Sequence, residues 1–365
     1  MSLDSLGWNS VWNERFSSHH ALGREPARVA ALDRDRCTVV GDDGTEASAE
    51  VAGRLRHEAR GPADFPAVGD WVAVEPSEHE GPRRIVAVLP RSTSIVRGDA
   101  DEVTEMQVLA ANVDTAFVVA GLDHDFNLRR LERYLATAWN GGVAPVVVLN
   151  KADLADDLEA RIAETETVAP GVPVLAISAA QGLGLEQLEP WLGSGSTVVL
   201  LGSSGVGKST VVNALTGEER QATGAVREHD SRGRHTTTRR ELVPLRSGAW
   251  LLDTPGLRLL KLWADEEALD ESFPEIAALA AECRFRDCRH DSEPGCAVVR
   301  AEREGSLTAE RVASWRKLQR ELRWLAGRQD QRVRAAEQAR WRGVSRAMRQ
   351  RENLEPRLRR NRPNG

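Results

Sequence analysis

Residues 197–210 read TVVLLGSSGVGKST, and this stretch decides the fold. Thr197 to Leu201 is a short apolar, β-branched run of the kind that forms a buried strand. Gly202-Ser203-Ser204-Gly205-Val206-Gly207-Lys208-Ser209 follows and matches the pattern G-x-x-x-x-G-K-[ST]. Thr210 to Leu215 then continues with helical character. Strand, glycine-rich loop and helix together make a phosphate cradle. The glycines let successive backbone N–H groups turn toward one centre. The helix aims its positive dipole end at the same point. In such a loop Lys208 reaches the β- and γ-phosphates, and the Ser209 hydroxyl ligates Mg²⁺. Residues 202–210 are therefore the expected phosphate-binding set. The loop alone does not choose between ATP and GTP.

Working outward, strands and helices alternate on the N-terminal side. Thr115 to Ala120 is strand-like, Leu128 to Trp139 helical, Ala144 to Leu149 strand-like, Asp156 to Thr167 helical and Val172 to Ile177 strand-like. Leu185 to Leu192 reads as a short helix. This rhythm predicts an α/β layer with a parallel sheet. Between Pro26 and about Ile95 the texture differs. Short strand-like runs (Ala27 to Leu32, Cys37 to Val40, Trp71 to Val74, Arg84 to Val88) are divided by Asp43-Gly44, Gly61-Pro62 and Gly81-Pro82. That spacing predicts a small β-barrel. Residues 1–24 carry Trp8, Trp12 and Phe16 but little regular pattern. From Thr308 onward the chain reads as helix.

A base-reading segment makes the choice of nucleotide. Asn150-Lys151-Ala152-Asp153 ends the strand Ala144 to Leu149 and resembles the N-K-x-D motif of GTPases. The resemblance implies that the Asp153 carboxylate accepts two hydrogen bonds from guanine, that Lys151 packs its stem along the base, and that Asn150 braces the loops. Adenine lacks the donor pair, and hydrogen bonds lost at a site built for them discriminate by ~10⁴ or more. Ser178-Ala179-Ala180 ends the next strand and resembles the loop whose backbone contacts the guanine oxygen. Asp253-Thr254-Pro255-Gly256 follows the strand Ala249 to Leu252 and looks like the D-x-x-G switch. Asp253 would meet Mg²⁺ through water, and Gly256 the γ-phosphate. Thr237, within Gly233-Arg234-His235-Thr236-Thr237-Thr238, is favoured for the Mg²⁺ shell, although three consecutive threonines blur the choice. Leu257 stands where many GTPases place a water-orienting glutamine. His235 is a candidate for that job, since imidazole can hold water near neutral pH; a histidine on the loop surface is the other reading. In ordinary GTPases N-K-x-D and S-A follow the switches. Here they precede the phosphate loop, so the motifs are rotated as a block.

Cys283-x4-Cys288-x-His290-x5-Cys296 offers three thiolates and one imidazole, suited to a closed tetrahedral, structural Zn²⁺ site. Cys37 lies far away and reads as a small core residue. Net charge is −6, but Arg320 to Gly365 holds 14 Arg and no Lys against 5 acidic residues, a balance of +9 that leaves −15 on the rest. Such asymmetry points to a polyanionic partner for the tail, or to a solvated helix face. Trp324 and Trp341 in or near that tail offer base stacking, while packing is the better reading for Trp315 and Trp324. No apolar run reaches the ~18 residues of a membrane helix, and no signal peptide opens the chain, so a cytoplasmic protein is expected.

Taken together, the chain resembles the bacterial small-subunit-dependent GTPases known as RsgA, YjeQ or EngC, over about residues 26 to 350. The rotated motifs, the Gly233-to-Thr238 segment and the Cys/His spacing carry the resemblance. Gly69-Asp70-Trp71-Val72 and Leu89-Pro90-Arg91 are similar to that family's barrel text. It implies a multidomain architecture: an OB-type β-barrel (26–105), a circularly permuted α/β P-loop GTPase domain (106–265) and a small α-helical zinc-binding domain (266–325); the N-terminal extension (1–25) and the Arg-rich helical tail (326–365) depart from the family pattern, and the resemblance does not fix their roles. It implies GTP hydrolysis stimulated by the small ribosomal subunit, binding to that subunit and its rRNA during late maturation, and release afterwards. A monomer without membrane contact is expected. A nucleotide-gated RNA-binding module is the rival reading; a metabolic kinase or ATPase is disfavoured by Asn150-to-Asp153.

Overall fold

The computed structural model describes residues 2–33, 36–76, 81–98, 106–124, 126–217, 240–253, 266–285, 288–291 and 293–323. His235, Thr237, Gly256, Leu257, Trp324, Trp341 and the Arg-rich tail lie outside these residues.

Five strands close a barrel: β1 (Glu25–Asp33), β2 (Arg36–Val40), β3 (Glu46–Val51), β4 (Trp71–Val74) and β5 (Arg83–Val88). Their order is β1-β2-β3-β5-β4, and β4 pairs back onto β1. The β3–β5 pairing is parallel and the others are antiparallel. This is an OB-like barrel, with α2 (Gly53–Glu58) on the β3–β4 connection. Every second residue points inward: Ala27 and Val29, Cys37 and Val39, and Val72 and Val74 share one core with Ala49 and Ile85. Cys37 is a filler of that core. A hairpin of β6 (Ser94–Gly98) and β7 (Met106–Ala111) follows and bridges residue 105, where the sequence reading divides barrel from nucleotide core.

The second sheet contains β8 (Thr115–Gly121), β9 (Ala144–Asn150), β10 (Val174–Ala176), β11 (Thr197–Leu201), β12 (Arg240–Pro244) and β13 (Trp250–Asp253). Its order is β10-β9-β8-β11-β13-β12, parallel except for β12. Both faces are covered, which explains the unbroken apolar strands. Val118, Val147, Leu149, Val199 and Leu201 pack on one side, with α3 (Leu128–Asn140) and α4 (Leu158–Val168). Phe117, Val119, Val146, Val148, Val198 and Leu200 pack on the other, with α5 (Lys208–Thr216) and the 3₁₀ segment Leu185–Trp191. The barrel joins this sheet directly: Ala31 and Leu32 of β1 pair with Glu241 and Arg240 of β12.

Beyond the sheet, α6 (Glu266–Ser272), α7 (Pro274–Ala281), α8 (Ala297–Glu304) and a helix over 309–323 form a small helical region. Its core is Leu269, Phe273, Ile276, Val298, Val312, Trp315 and Leu318, joined by Ala136 of α3.

The N-terminal segment departs from the sequence reading. It forms a helix, α1 (Ser10–His20), where little pattern was evident. Asn9 caps it by accepting from the N–H groups of Val11 and Trp12. Trp12 and Phe16, one turn apart, are buried, and Trp8 meets Trp71 edge-on at 4.7 Å. Two aromatic anchors hold this helix in place of a broad apolar stripe, so its periodic signal is weak.

Candidate functional site

The sheet brings the separated motifs to one edge, at the carboxyl ends of β9, β10, β11 and β13, where ligands sit in open α/β sheets. The phosphate loop runs from Gly202 to Lys208, which opens α5. Two of its glycines have no substitute. Gly202 adopts φ +149°, and a Cβ there would lie 2.4 Å from the Val119 carbonyl oxygen. Gly207 adopts φ +92°, and a Cβ there would lie 2.2 Å from Asn150 Nδ2. Lys208 Nζ donates to the carbonyls of Gly202 (2.7 Å) and Ser203 (2.5 Å), so its ammonium already sits across the loop. Ser209 and Thr210 follow in the first turn of α5.

Asn150 is 2 % exposed and ties three motifs together. Its Nδ2 donates to the Val206 carbonyl in the phosphate loop at 2.9 Å. Its Oδ1 accepts from the Ala179 N–H at 3.0 Å. A single carboxamide therefore sets the distance between the phosphate loop and the Ser178-Ala179 loop. Lys151 adopts a left-handed backbone (φ 63°), which turns the chain out of β9. Its ammonium pairs with Asp123 at 2.5 Å, fixing the side chain along the rim. Ala152 and Asp153 follow in a 3₁₀ turn, and Ala152 N–H donates to the Ile177 carbonyl. Asp153 is exposed at the rim. Ser178 Oγ is buried with no hydrogen-bond partner among the described residues. Asp253 ends β13, next in the sheet to the strand that feeds the phosphate loop.

The second cluster lies in the helical region. The ligand atoms of Cys283, Cys288, His290 and Cys296 all lie within 4.8 Å of one another. Cys283 Sγ is 3.4 Å from His290 Nδ1 and 3.8 Å from Cys296 Sγ. The N–H of Ala297 points at Cys283 Sγ (3.3 Å), and that of Val299 at Cys296 Sγ (3.4 Å). Backbone donors aimed at sulfur stabilise thiolates. Burial and the neighbouring sulfurs push the Cys288 thiol up to about 12, so without a cation it stays a neutral thiol, and a bound metal would have to displace its proton. Burial holds His290 below the ordinary histidine range, which keeps the imidazole neutral and able to ligate. The four residues could hold a metal ion in a closed site. His290 is further fixed by Trp315, edge-on at 5.3 Å, and by Arg316, which donates twice to its carbonyl. Trp315 thus packs, as expected from the sequence.

One connection was not legible in the sequence. Gly69-Asp70 and Pro90-Arg91 stand far apart in the chain, yet Arg91 grips the fully buried Asp70 with two bonds, at 2.7 and 2.8 Å. Arg91 also donates to the carbonyls of Ala63 and Phe65. These two stretches of barrel text are halves of one structural clamp.

Comparison with known proteins agrees with this geometry. The family model described as RsgA GTPase matches residues 88–263. A small ribosomal subunit biogenesis GTPase RsgA of Opitutus terrae is 48% identical over 366 residues, covering 98% of this chain and 100% of that protein. The chain belongs to the RsgA GTPase family. The protein of the same name from Streptomyces coelicolor is 47% identical over 92% of this chain and 90% of its own length. Among solved structures, YjeQ from Thermotoga maritima aligns over 82% of this chain and 98% of its own with a TM-score of 0.63 and 27% identity. YloQ, a circularly permuted GTPase, aligns over 82% of this chain and 95% of its own with a TM-score of 0.59 and 23% identity, a likeness of fold. An ABC transporter model also matches residues 185–361. That span takes in the phosphate loop, which the two classes share, but not Asn150 to Asp153. No described helix is long and apolar enough to cross a membrane.

Proposed function

We propose that this RsgA-family GTPase acts on the small ribosomal subunit late in its maturation, hydrolysing GTP under stimulation by the subunit and then leaving. The observation that carries the reading is Asn150, whose two bonds join the base-reading strip, the Ser178-Ala179 loop and the phosphate loop into one nucleotide cradle. Asp153 and the Ala179 backbone select guanine. Lys208 and the N–H groups of residues 203–209 hold the phosphates. Ser209 and Thr237 would ligate Mg²⁺, with Asp253 behind it; the ion, bound with GTP, offsets charge on the transferring phosphoryl group. His235 orients the attacking water in the place of the missing glutamine.

Cys283, Cys288, His290 and Cys296 hold one structural Zn²⁺. The barrel and the Arg-rich tail contact rRNA, since OB-like barrels commonly take oligonucleotides and arginines pair with phosphate. The divisions at residues 25, 105, 265 and 325 separate these tasks, and the protein works as a cytoplasmic monomer.

Single-turnover GTP hydrolysis with and without purified small subunits tests the reading. Slow hydrolysis alone and a large acceleration by subunits is the expected result. Equal rates in both conditions would leave an RNA-binding module with incidental hydrolysis. His235→Ala should abolish the acceleration while GTP binding holds; an intact stimulated rate removes His235 from the mechanism.

A further inference from the structure

Helix α3 touches both ends of the machinery. Asn127 caps it by accepting from the Arg130 N–H at 3.1 Å. The Arg130 guanidinium lies 3.3 Å from Ser203 Oγ in the phosphate loop. A small cleft lined by Asn127, Arg130, Tyr134, Ser203 and Val206 lies between helix and loop, so this contact has room to tighten or slacken.

Two residues further on, the helix faces the other way. Glu132 is 2 % exposed and accepts from Arg311 Nη1 at 2.6 Å and from the Ser314 hydroxyl. Arg311, itself buried, also donates to Glu275 (2.7 Å) and to the Ser272 carbonyl (2.8 Å), and lies 4.1 Å over the Phe273 ring. Arg133 pairs with Glu321 through two bonds of 2.8 and 2.9 Å. Three elements of the helical region, α6, α7 and the 309–323 helix, thus converge through Arg311 on one turn of α3. A buried guanidinium held in a fork on several partners has almost no positional freedom.

We propose that the first turn of α3 couples the C-terminal helical region to the phosphate loop, with Arg311 and Arg130 as the positioning residues on its two opposite faces. A displacement of the helical region on the ribosome would pull Glu132 through Arg311. The helix moves as a body, and Arg130 passes the shift to Ser203. Coupling of this kind needs only a small movement, because packed interfaces are bistable. The proposal rests on the reading that the small subunit stimulates hydrolysis. It adds a route that does not pass through the segment after Asp253.

The test uses the full chain carrying Arg311→Met, Arg130→Ala or both, titrated with small subunits in single-turnover hydrolysis. Arg311→Met should lower the stimulated plateau about tenfold, within the usual range of inter-site coupling. The half-saturating subunit concentration, the basal rate and GDP affinity should stay within about twofold. Arg130→Ala should lower the same plateau, and the double variant should lose no more than the worse single one. A full plateau in folded Arg311→Met, a shift confined to half-saturation, or multiplying losses would overturn the coupling. If Arg311→Met does not fold, Glu132→Gln replaces it with the same expectations. If the wild-type chain shows no stimulation, the functional reading fails by itself. Hydrogen exchange at amides 203–208 then decides the coupling: faster exchange in the variant supports it, and unchanged exchange overturns it.

Discussion

Replacing Asn150 by alanine tests the geometry of the cradle directly. The change removes one donor and one acceptor and leaves two buried backbone groups, the Val206 carbonyl and the Ala179 N–H, without their partner. Leaving a buried polar group unsatisfied costs about 1–3 kcal/mol, so the two together amount to about 2–6 kcal/mol. Both groups belong to the nucleotide cradle, so much of this cost falls on bound-state geometry. At 1.4 kcal/mol per decade, the loss corresponds to about 30-fold to 10⁴-fold in affinity. The assay is titration with a fluorescent GDP analogue, with circular dichroism to verify the fold. Asn150→Asp is a second probe: it keeps the acceptor for Ala179 N–H but turns a carboxylate oxygen onto the Val206 carbonyl, and should bind no better than Asn150→Ala. A folded Asn150→Ala chain that binds GDP within threefold of wild type would refute the claim that this carboxamide sets the spacing of the loops.

Other expectations follow from single contacts. Arg91→Met leaves Asp70 buried without its paired guanidinium and should destabilise the chain by about 3–5 kcal/mol in a denaturant titration followed by circular dichroism. Chelation should remove one metal ion per chain, unfold the helical region before the barrel, and proceed faster as pH falls, because protons compete for thiolate and imidazole ligands. Cys37, buried in the barrel core, should resist alkylation at pH 8 until the barrel unfolds, whereas Cys283, Cys288 and Cys296 become reactive once chelation opens the helical region. Gly202→Ala should prevent nucleotide binding, since its Cβ would meet the Val119 carbonyl; normal GDP binding would show that the loop tolerates another path.

Much of the sheet was legible because both of its faces are covered. Most of its strands are continuous apolar runs, and four of them, β9, β10, β11 and β13, end in a motif with fixed chemistry. The barrel was harder to read. β3 (Glu46–Val51) has only Ala49 among its fully buried residues, so alternation is faint there. Helix α1 was missed because two aromatic residues and an Asn cap hold it in place of a periodic stripe. The Cys/His spacing was legible because three cysteines and one histidine in fourteen positions suit a metal, and the fold brings their ligand atoms within 4.8 Å of one another.

The sequence by itself determined the local chemistry: which loop cradles phosphate, which segment reads a base, which side chains could hold metal, and that these come in rotated order. These properties depend on neighbours within a few residues, and a motif carries them whole. Only the tertiary structure decided how the pieces hold one another. The bonds from Asn150 to Val206 and Ala179, from Arg91 to Asp70, and from Arg311 to Glu132 and Glu275 join residues 20 to 180 positions apart. A buried polar side chain must find a partner, but nothing in the local pattern says which one. That choice is made when the sheet order places β9 beside β8, closes β4 onto β1, and sets α3 against the C-terminal helices.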